Sequence, residues 1–461
     1  MNLCPLRAAS IAWPDDPALV DSRRTLTFSQ WDGCAEALTD QFNDLKPGHT
    51  IAITHPDRLE SLVLMTAAWR KGLTVAPISH RIPNSGATTR MLGVHRVFHG
   101  PEIVLHEPIK PPKKDIYLDD SIATILLTSG SSGQPKAVAH AIAAHVCSAR
   151  SSNLNIPFQS GHLWLMSLSI SHIGGLAVAF RAMLGGGCVA FPSASQQLAS
   201  AIKTFQPSHI SLVATQFAAV LKQLDHTQLK AVLTGGGPIP TALIGQAVEM
   251  GVPIHTTYGM TEMASQVTTT PPNATRAQLM SSGCVLDNNH VKISPNGEIW
   301  VRGPSLFSGY LTDKGMIKGV DKDGWYHTGD TGQLNSGWLS VSGRMDDMFV
   351  SGGENIHPQE IEAALLGIKG VAAACVVSVP NPRWGARPIA FIDGSVSQNE
   401  IINNLEGSLP RFKIPDKILP WPLDISTAHK PPRDKMKSRA LKMIQVCTPK
   451  TQDTNQGDFN A

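Results

Sequence analysis

No stretch of this sequence approaches the run of about 18 apolar residues that crosses a bilayer, so no segment reads as a membrane span. Met1 to Val20 places Pro14, Asp15 and Asp16 where a secretory signal would need an apolar core. Cysteine is sparse. The seven thiols (Cys4, Cys34, Cys147, Cys188, Cys284, Cys375 and Cys447) are odd in number, widely spaced and never arranged as Cys-X-X-Cys. That distribution argues against a disulfide framework and a zinc ribbon and suits a reducing compartment, so the expected location is cytoplasmic. Net charge is only +3, too small to argue for a nucleic-acid protein. The late basic cluster, ten Lys/Arg against three Asp from Arg411 to Lys450, lacks an aromatic stacking pattern. Charged residues are scarce too, 16% against 42% hydrophobic, which describes a soluble, well-buried protein rather than a disordered one. No repeat of fixed period occurs, and 461 residues are too many for one core, so two or three domains are expected.

What is present is an alternation of strand and helix. Arg24–Phe28 alternates like a short strand, and Ser29 could cap a helix running to Phe42. A strand over Ile51–Thr54, a helix through Leu59–Lys71 stopped by Gly72, and a strand over Thr74–Ile78 predict an α/β sheet. Arg81–Asp120, with Pro108, Pro111 and Pro112, reads as an irregular connector. A helix is predicted over His140–Ser151. Strands follow at Trp164–Leu168, Cys188–Phe191, His209–Ala214, Ala231–Leu233 and Ile254–Thr257. From His290 the texture becomes β-rich, with a hairpin about Pro295-Asn296-Gly297. A boundary is expected at Gly343–Asp347, separating a large domain (1–343) from a small α+β one (344–461) whose tail after 447 is polar.

The segment Thr128-Ser129-Gly130-Ser131-Ser132-Gly133-Gln134-Pro135-Lys136 follows the apolar run Ile122–Leu127. Small hydroxyls, glycines and one ammonium at the end of a strand suit a polyanion, although many such turns are plain connectors. It is not a Walker A loop, because Ala137 stands where Ser or Thr is required. Three more strands run into glycine-bearing loops: Ser171–Gly175, Gly235-Gly236-Gly237-Pro238 and Tyr258-Gly259-Met260-Thr261-Glu262. Ligands of parallel α/β sheets gather beyond the carboxyl ends of strands, so this convergence predicts a site.

Five separated segments together resemble the adenylate-forming superfamily of acyl-CoA synthetases, peptide-synthetase adenylation domains and luciferases. They are the Ser/Gly loop, Tyr258–Glu262, Tyr326-His327-Thr328-Gly329-Asp330, Gly343–Asp347 continuing to Ser351-Gly352-Gly353-Glu354-Asn355-Ile356, and Lys435 before Arg439. The resemblance runs from about Thr25 to Leu441. It implies a large ATP- and acyl-binding α/β domain with a β-rich subdomain, and a small, mobile α+β C-terminal domain.

The chemistry it implies is attack of a carboxylate on the α-phosphate of ATP, loss of pyrophosphate, and transfer of the acyl group to coenzyme A. In that scheme Thr128, Ser129, Ser131, Ser132 and Lys136, with Gly130 and Gly133, hold the β- and γ-phosphates. Thr261 contacts the α-phosphate, and Glu262 holds Mg²⁺, a hard cation that prefers oxygen. Gly235, Gly236, Gly237 and Tyr258, with Gly259 and Met260, wall the adenine. Asp330 receives the ribose hydroxyls with Arg344 assisting. Lys435 bridges the substrate carboxylate and the α-phosphate, Asp346 is the hinge, and Ser351, Gly352 and Gly353 border the pantetheine path. Asp434 stands where most members have Gly before the lysine, which leaves Lys437 and Lys430 as alternatives. Without the resemblance, Glu262 reads as a helix-start carboxylate and Asp330 as a turn residue.

Within the superfamily the chain looks most like the o-succinylbenzoate–CoA ligases of menaquinone synthesis, on Ser167–Gly175, Ser211–Gln216 and Met260–Gln266. Their aromatic dicarboxylate needs a donor for the carboxylate that is not activated. Arg181, the only charge in an apolar stretch, is the candidate against a snorkelling arginine. His172 borders the acyl pocket or else is a satisfied core histidine. Thr215, Gln216, Ser265 and Gln266 supply neutral hydrogen bonds. Rival readings are a ligase for another aryl or short-chain acid, a domain serving a carrier protein, and a non-enzymatic binding protein on the same fold. The expected partners are the acid, ATP and CoA, with no nucleic acid; a homo-oligomer is compatible with the sequence.

Overall fold

In a computed structural model, the structure describes residues 2–79, 85–99, 117–118, 120–129, 135–224, 227–425 and 433–446. The chain divides into two compact units, Met1–Asp346 and Asp347–Ala461. In the larger unit, a 13-stranded sheet carries a parallel half and an antiparallel half. In the parallel half, Leu163–Leu165 lies between Cys188–Ala190 and His209–Leu212, and Ala231–Thr234 and Ile254–Met260 continue the order. The short strands His209–Leu212 and Ala231–Thr234 are buried at every residue, as expected of parallel strands covered on both faces. Ile254–Met260 is the seam: it pairs parallel with Ala231–Thr234 and antiparallel with Ser265–Thr269. Beyond it, Tyr326–Asn335 and Trp338–Arg344 form the long hairpin of the antiparallel half.

A 7-stranded sheet in the same unit joins the parallel strands Thr50–Ile53, Thr74–Pro77 and Val94–Phe98 to Ile122–Ser129. Ile122–Ser129 pairs antiparallel with Pro135–Ala141, which in turn pairs with Gly309–Thr312. The smaller unit is a 5-stranded sheet centred on Val371–Asn381 and Gly385–Gly394. It is covered by helix Pro358–Leu366, opened by its proline, and by helices Gln398–Glu406 and Arg433–Val446.

Several sequence expectations are corrected. The helix predicted from His140 begins at Ile142, and His140 belongs to the strand Pro135–Ala141. Pairing on both edges of that strand overrides the local helix preference of its alanines. Thr27, not Ser29, caps the second helix, in a capping box with Gln30, and the α-helix ends at Leu38 before a 3₁₀ turn to Phe42. Within the stretch read as irregular, Ser85–Met91 is a helix and Val94–Phe98 a strand.

Candidate active site

The seam strand decides where the chemistry can sit. A strand that changes from parallel to antiparallel partners ends beside the carboxyl ends of the parallel strands, and its next residues are Thr261 and Glu262, in a 3₁₀ turn. The turn is tight. Gly259 lies at a register shift where a Cβ would come 2.2 Å from the Ser265 carbonyl oxygen. Ala264 and Ser265 hold positive φ values of 48° and 122°, conformations that cost a non-glycine residue energy and persist only when surroundings impose them. Those surroundings are visible: His140 Nε2 donates to the Thr261 carbonyl at 2.7 Å, and Ser148 Oγ donates to the Ala264 carbonyl at 2.8 Å. Burial lowers the pKa of His140 to about 4, so the ring is neutral and its proton lies on Nε2.

Glu262 Oε1 accepts from Tyr310 Oη at 2.7 Å and from Tyr326 Oη at 3.2 Å, and the two hydroxyls meet at 2.8 Å. Burial first, then the Glu262 charge, hold both phenols well above their usual pKa, so they remain donors. Lys136 Nζ lies 5.2 Å from the Tyr310 ring centroid, because the strands bearing them are neighbours. Strand pairing therefore sets the lysine that closes the Ser/Gly loop beside a tyrosine whose hydroxyl bonds the carboxylate of a different sheet. Thr128 pairs with Lys136 across the base of that loop. Ser129 ends its strand; Gly130, Ser131, Ser132 and Gly133 lie outside the described residues.

A second carboxylate closes the antiparallel hairpin. Asp330 accepts from Tyr258 Oη at 2.7 Å and pairs with Arg344 Nη1 at 3.1 Å, while the same nitrogen donates to the Thr328 carbonyl at 2.9 Å. Burial and the Asp330 charge raise the Tyr258 phenol well above its usual pKa. Gly329, at φ 70°, is needed there, since a Cβ would approach the Arg344 guanidinium to 2.9 Å. Gly236 and Gly237 are exposed beyond the end of Ala231–Thr234, and Gly235 is half-buried. The resemblance implies Tyr258 at an adenine and Asp330 at a ribose; the hydrogen bond makes them one unit.

Arg181 is 1% exposed, in helix Ile173–Gly185. It does not snorkel. Its Nη2 donates to Gln266 Oε1 at 2.9 Å and to Ser265 Oγ at 3.3 Å, and its guanidinium carbon lies 4.9 Å from the Trp164 ring centroid. Nε and Nη1 are buried without a partner among the described residues, and no carboxylate pairs with it there. Burial lowers its pKa to about 9, which still leaves it charged at neutral pH. The helix reaches this depth because Gly175 admits the crossing loop: a Cβ there would sit 2.2 Å from the Ser169 carbonyl oxygen. His172 is exposed at the N-terminus of that helix rather than in the core. Thr215 is exposed, and Gln216 turns back to accept from the Val213 N–H at 3.2 Å.

In the smaller unit, Ser351 is buried and receives Arg387 Nη1 at 3.2 Å, while Gly352 and Gly353 form an exposed turn at φ 61° and 90°. Trp384, 43% exposed, packs on Gly352, where a Cβ would come 2.8 Å from the ring, and Arg383 lies 4.7 Å from its centroid. Arg383-Trp384, a cation next to an aromatic, was the available sequence signal for this surface. Lys435 and Lys437 are exposed on helix Arg433–Val446 on either side of buried Met436; Lys430 lies outside the described residues. The contacts of Tyr310, Tyr326, His140 and Trp384 left no sign in the sequence, although Tyr326 stands in one of the five segments and His140 opens the predicted helix. The pairings that matter for them depend on cross-strand register, which local pattern does not carry.

Comparison with known proteins supplies the context. The family model for AMP-binding enzymes matches residues 6–92 and 87–311, and the model for the AMP-binding enzyme C-terminal domain matches residues 360–426. The 2-succinylbenzoate–CoA ligase of Bacillus licheniformis is 32% identical over 441 residues, covering 87% of this chain and 92% of the relative. The Bacillus subtilis ligase of the same name is 30% identical over 442 residues, with 88% and 91% covered. The solved Bacillus subtilis o-succinylbenzoate CoA synthetase in complex with its acyl-adenylate intermediate superposes with a TM-score of 0.85 at 27% identity. That match covers 95% of this chain and 98% of the other. The same synthetase with ATP and a magnesium ion gives 0.84 at 27% identity, covering 95% and 99%.

Proposed function

Since this chain belongs to the family of AMP-binding enzymes, we propose that it is an ATP-dependent acid–CoA ligase that activates 2-succinylbenzoate, a step of menaquinone biosynthesis. The observation that carries the substrate is Arg181, a buried guanidinium with unsatisfied donors and no acid beside it among the described residues. Such a group is costly unless an anion arrives. A dicarboxylate brings one carboxylate to react and one to be held, and the relatives that match over nearly the whole chain are ligases of that acid.

In the first half-reaction a carboxylate oxygen attacks the α-phosphorus, the bond to the β-phosphate oxygen breaks, and acyl-AMP and pyrophosphate form. Lys136 holds the departing pyrophosphate, with Thr128, Ser129 and residues 130–133. Thr261 meets the α-phosphate, Asp330 the ribose and Gly235–Gly237 with Tyr258 the base. Lys435 offsets the negative charge where nucleophile and phosphate approach. The donors present fit Mg²⁺. Glu262 keeps Oε1 for the tyrosines and leaves Oε2, and no cluster of three acidic, His or Cys residues supplies a complete protein cage among the described residues. A cation bound through one carboxylate completes its shell with phosphates and water. When bound, Mg²⁺ supplies charge to the phosphates.

In the second half-reaction the thiol of CoA attacks the acyl carbonyl, AMP leaves and a proton is released. Rotation about Asp346 withdraws Lys435 and brings Ser351, Gly352 and Gly353, with Trp384, to the pantetheine arm.

Acid-dependent ATP–pyrophosphate exchange across 2-succinylbenzoate, benzoate, coumarate and acetate tests the substrate: 2-succinylbenzoate is expected to be strongest, and equal or better exchange with another acid would overturn it. The tyrosine clamp makes a separate prediction. Tyr310→Phe removes one hydrogen bond to a charged group and should raise the Mn²⁺ concentration needed for ATP-dependent metal binding, read by electron paramagnetic resonance, by about tenfold. An unchanged binding curve would show that Tyr326 alone orients Glu262.

A further inference from the structure

The helix that carries Lys435 is fixed along its buried face and at its first turn by different means. Along its length Met436 and Ala440 are fully buried against Cys375, Val377 and Phe391, which sets the roll of the helix. Its first turn depends on Arg433, three residues before Met436 and on the same face. Every nitrogen of the Arg433 guanidinium has a partner. Nε pairs with Asp347 Oδ2 at 3.2 Å, and Nη1 reaches Glu362 Oε1 at 2.6 Å as well as the Val376 carbonyl. Nη2 reaches Glu362 Oε2 at 3.2 Å. Glu362 also accepts from the Val376 N–H at 2.7 Å, and Gln359 Nε2 donates to Asp347 Oδ2 at 2.6 Å. Burial opposes the charge on Arg433, but Glu362 and Asp347 outweigh it and raise its pKa.

The two residues at the junction of the units differ sharply. Asp346, the last of the larger unit, is 66% exposed and only 3.9 Å from Arg344, whereas Asp347, the first of the smaller unit, is held by Arg433 and Gln359. Stiffness therefore changes between adjacent residues. We infer that Arg433 is a positioning residue that locks the first turn of the Lys435 helix to Asp347, so that the lysine turns with the pivot as one body. The inference depends on the proposed role of Lys435. A planar fork that binds two carboxylates and a carbonyl at once is work that lysine cannot copy.

The test compares Arg433→Gln, Arg433→Lys and Lys435→Ala in both half-reactions of the full-length protein, with melting temperature as the control. Misplacing a charge by about 1 Å costs on the order of 10²-fold. Both Arg433 variants are accordingly expected to lose about 10- to 100-fold in ATP–pyrophosphate exchange, while acyl transfer from presynthesised acyl-adenylate to CoA is unchanged. Arg433→Lys keeps the charge and decides the matter if Arg433→Gln fails to fold. Equal loss in both half-reactions would make Arg433 merely structural and overturn the inference. Exchange intact in the Arg433 variants but lost in Lys435→Ala would overturn it alone. Exchange intact in Lys435→Ala would overturn the assignment of Lys435 and the inference with it.

Discussion

Lys435→Ala is expected to lower acid-dependent ATP–pyrophosphate exchange by about 10²- to 10³-fold, the usual cost of removing one donor to charge developing in a transition state. Thioester formation from presynthesised acyl-adenylate should be retained, because in the proposed scheme rotation about Asp346 has already withdrawn the lysine when the thiol attacks. The geometry makes the contrast with Lys437 informative. Both lysines are exposed, about 100° to either side of Met436 around the helix, so they face different directions. Lys437→Ala is thus expected to leave exchange close to that of the parent. If exchange were lost in Lys437→Ala and kept in Lys435→Ala, the roles would be reversed.

Arg181→Met is expected to separate binding from stability. Among the described residues the side chain is a buried cation beside neutral partners only, Gln266, Ser265 and Trp164. Replacing an uncompensated buried charge with an apolar chain of similar length is neutral or stabilising. The melting temperature should therefore hold or rise. The same change removes the donor for the second carboxylate, worth about 1.5–3 kcal/mol as a charge-assisted hydrogen bond, so KM for 2-succinylbenzoate should rise about 10- to 100-fold. KM for ATP should not follow. An unaltered acid KM would return Arg181 to a structural role, and a large fall in melting temperature would mean that its contacts to Gln266 and Trp164 hold the fold. A site that is less stable than it could be is common where a ligand supplies the missing partner.

The sequence was most readable where chemistry and backbone demand the same residue. Gly259, Gly329 and Gly352 each stand where a Cβ would collide with a carbonyl, a guanidinium or a ring, so motif and fold coincide. The end of Ala231–Thr234 was legible from an apolar run meeting glycine, whereas Ile254–Met260 runs past the predicted end at Thr257 and through Gly259. The strand Pro135–Ala141 was not. Its alanines and His140 suit a helix locally, and only pairing with Ile122–Ser129 and Gly309–Thr312 makes it extended. That pairing is what carries Lys136 to Tyr310 and Tyr310 to Glu262, so the clamp on the carboxylate was invisible for the same reason. Arg181 shows the opposite limit. Its isolation among apolar residues was visible, but whether such an arginine reaches water or stays buried is decided by packing against Trp164 and Gln266. The network of Arg433 joins helix, hinge and strand residues far apart in sequence and left no local pattern.

The central claim is that the chain activates its acid by adenylation before transfer to CoA. Incubating the protein with 2-succinylbenzoate, Mg²⁺ and ATP labelled at the α-phosphate, without CoA, tests it most directly. Label is expected to move into an enzyme-bound acyl-adenylate with release of pyrophosphate, and added CoA to convert it to labelled AMP and the thioester. Formation of ADP and inorganic phosphate, with no labelled adenylate before CoA is added, would contradict that claim.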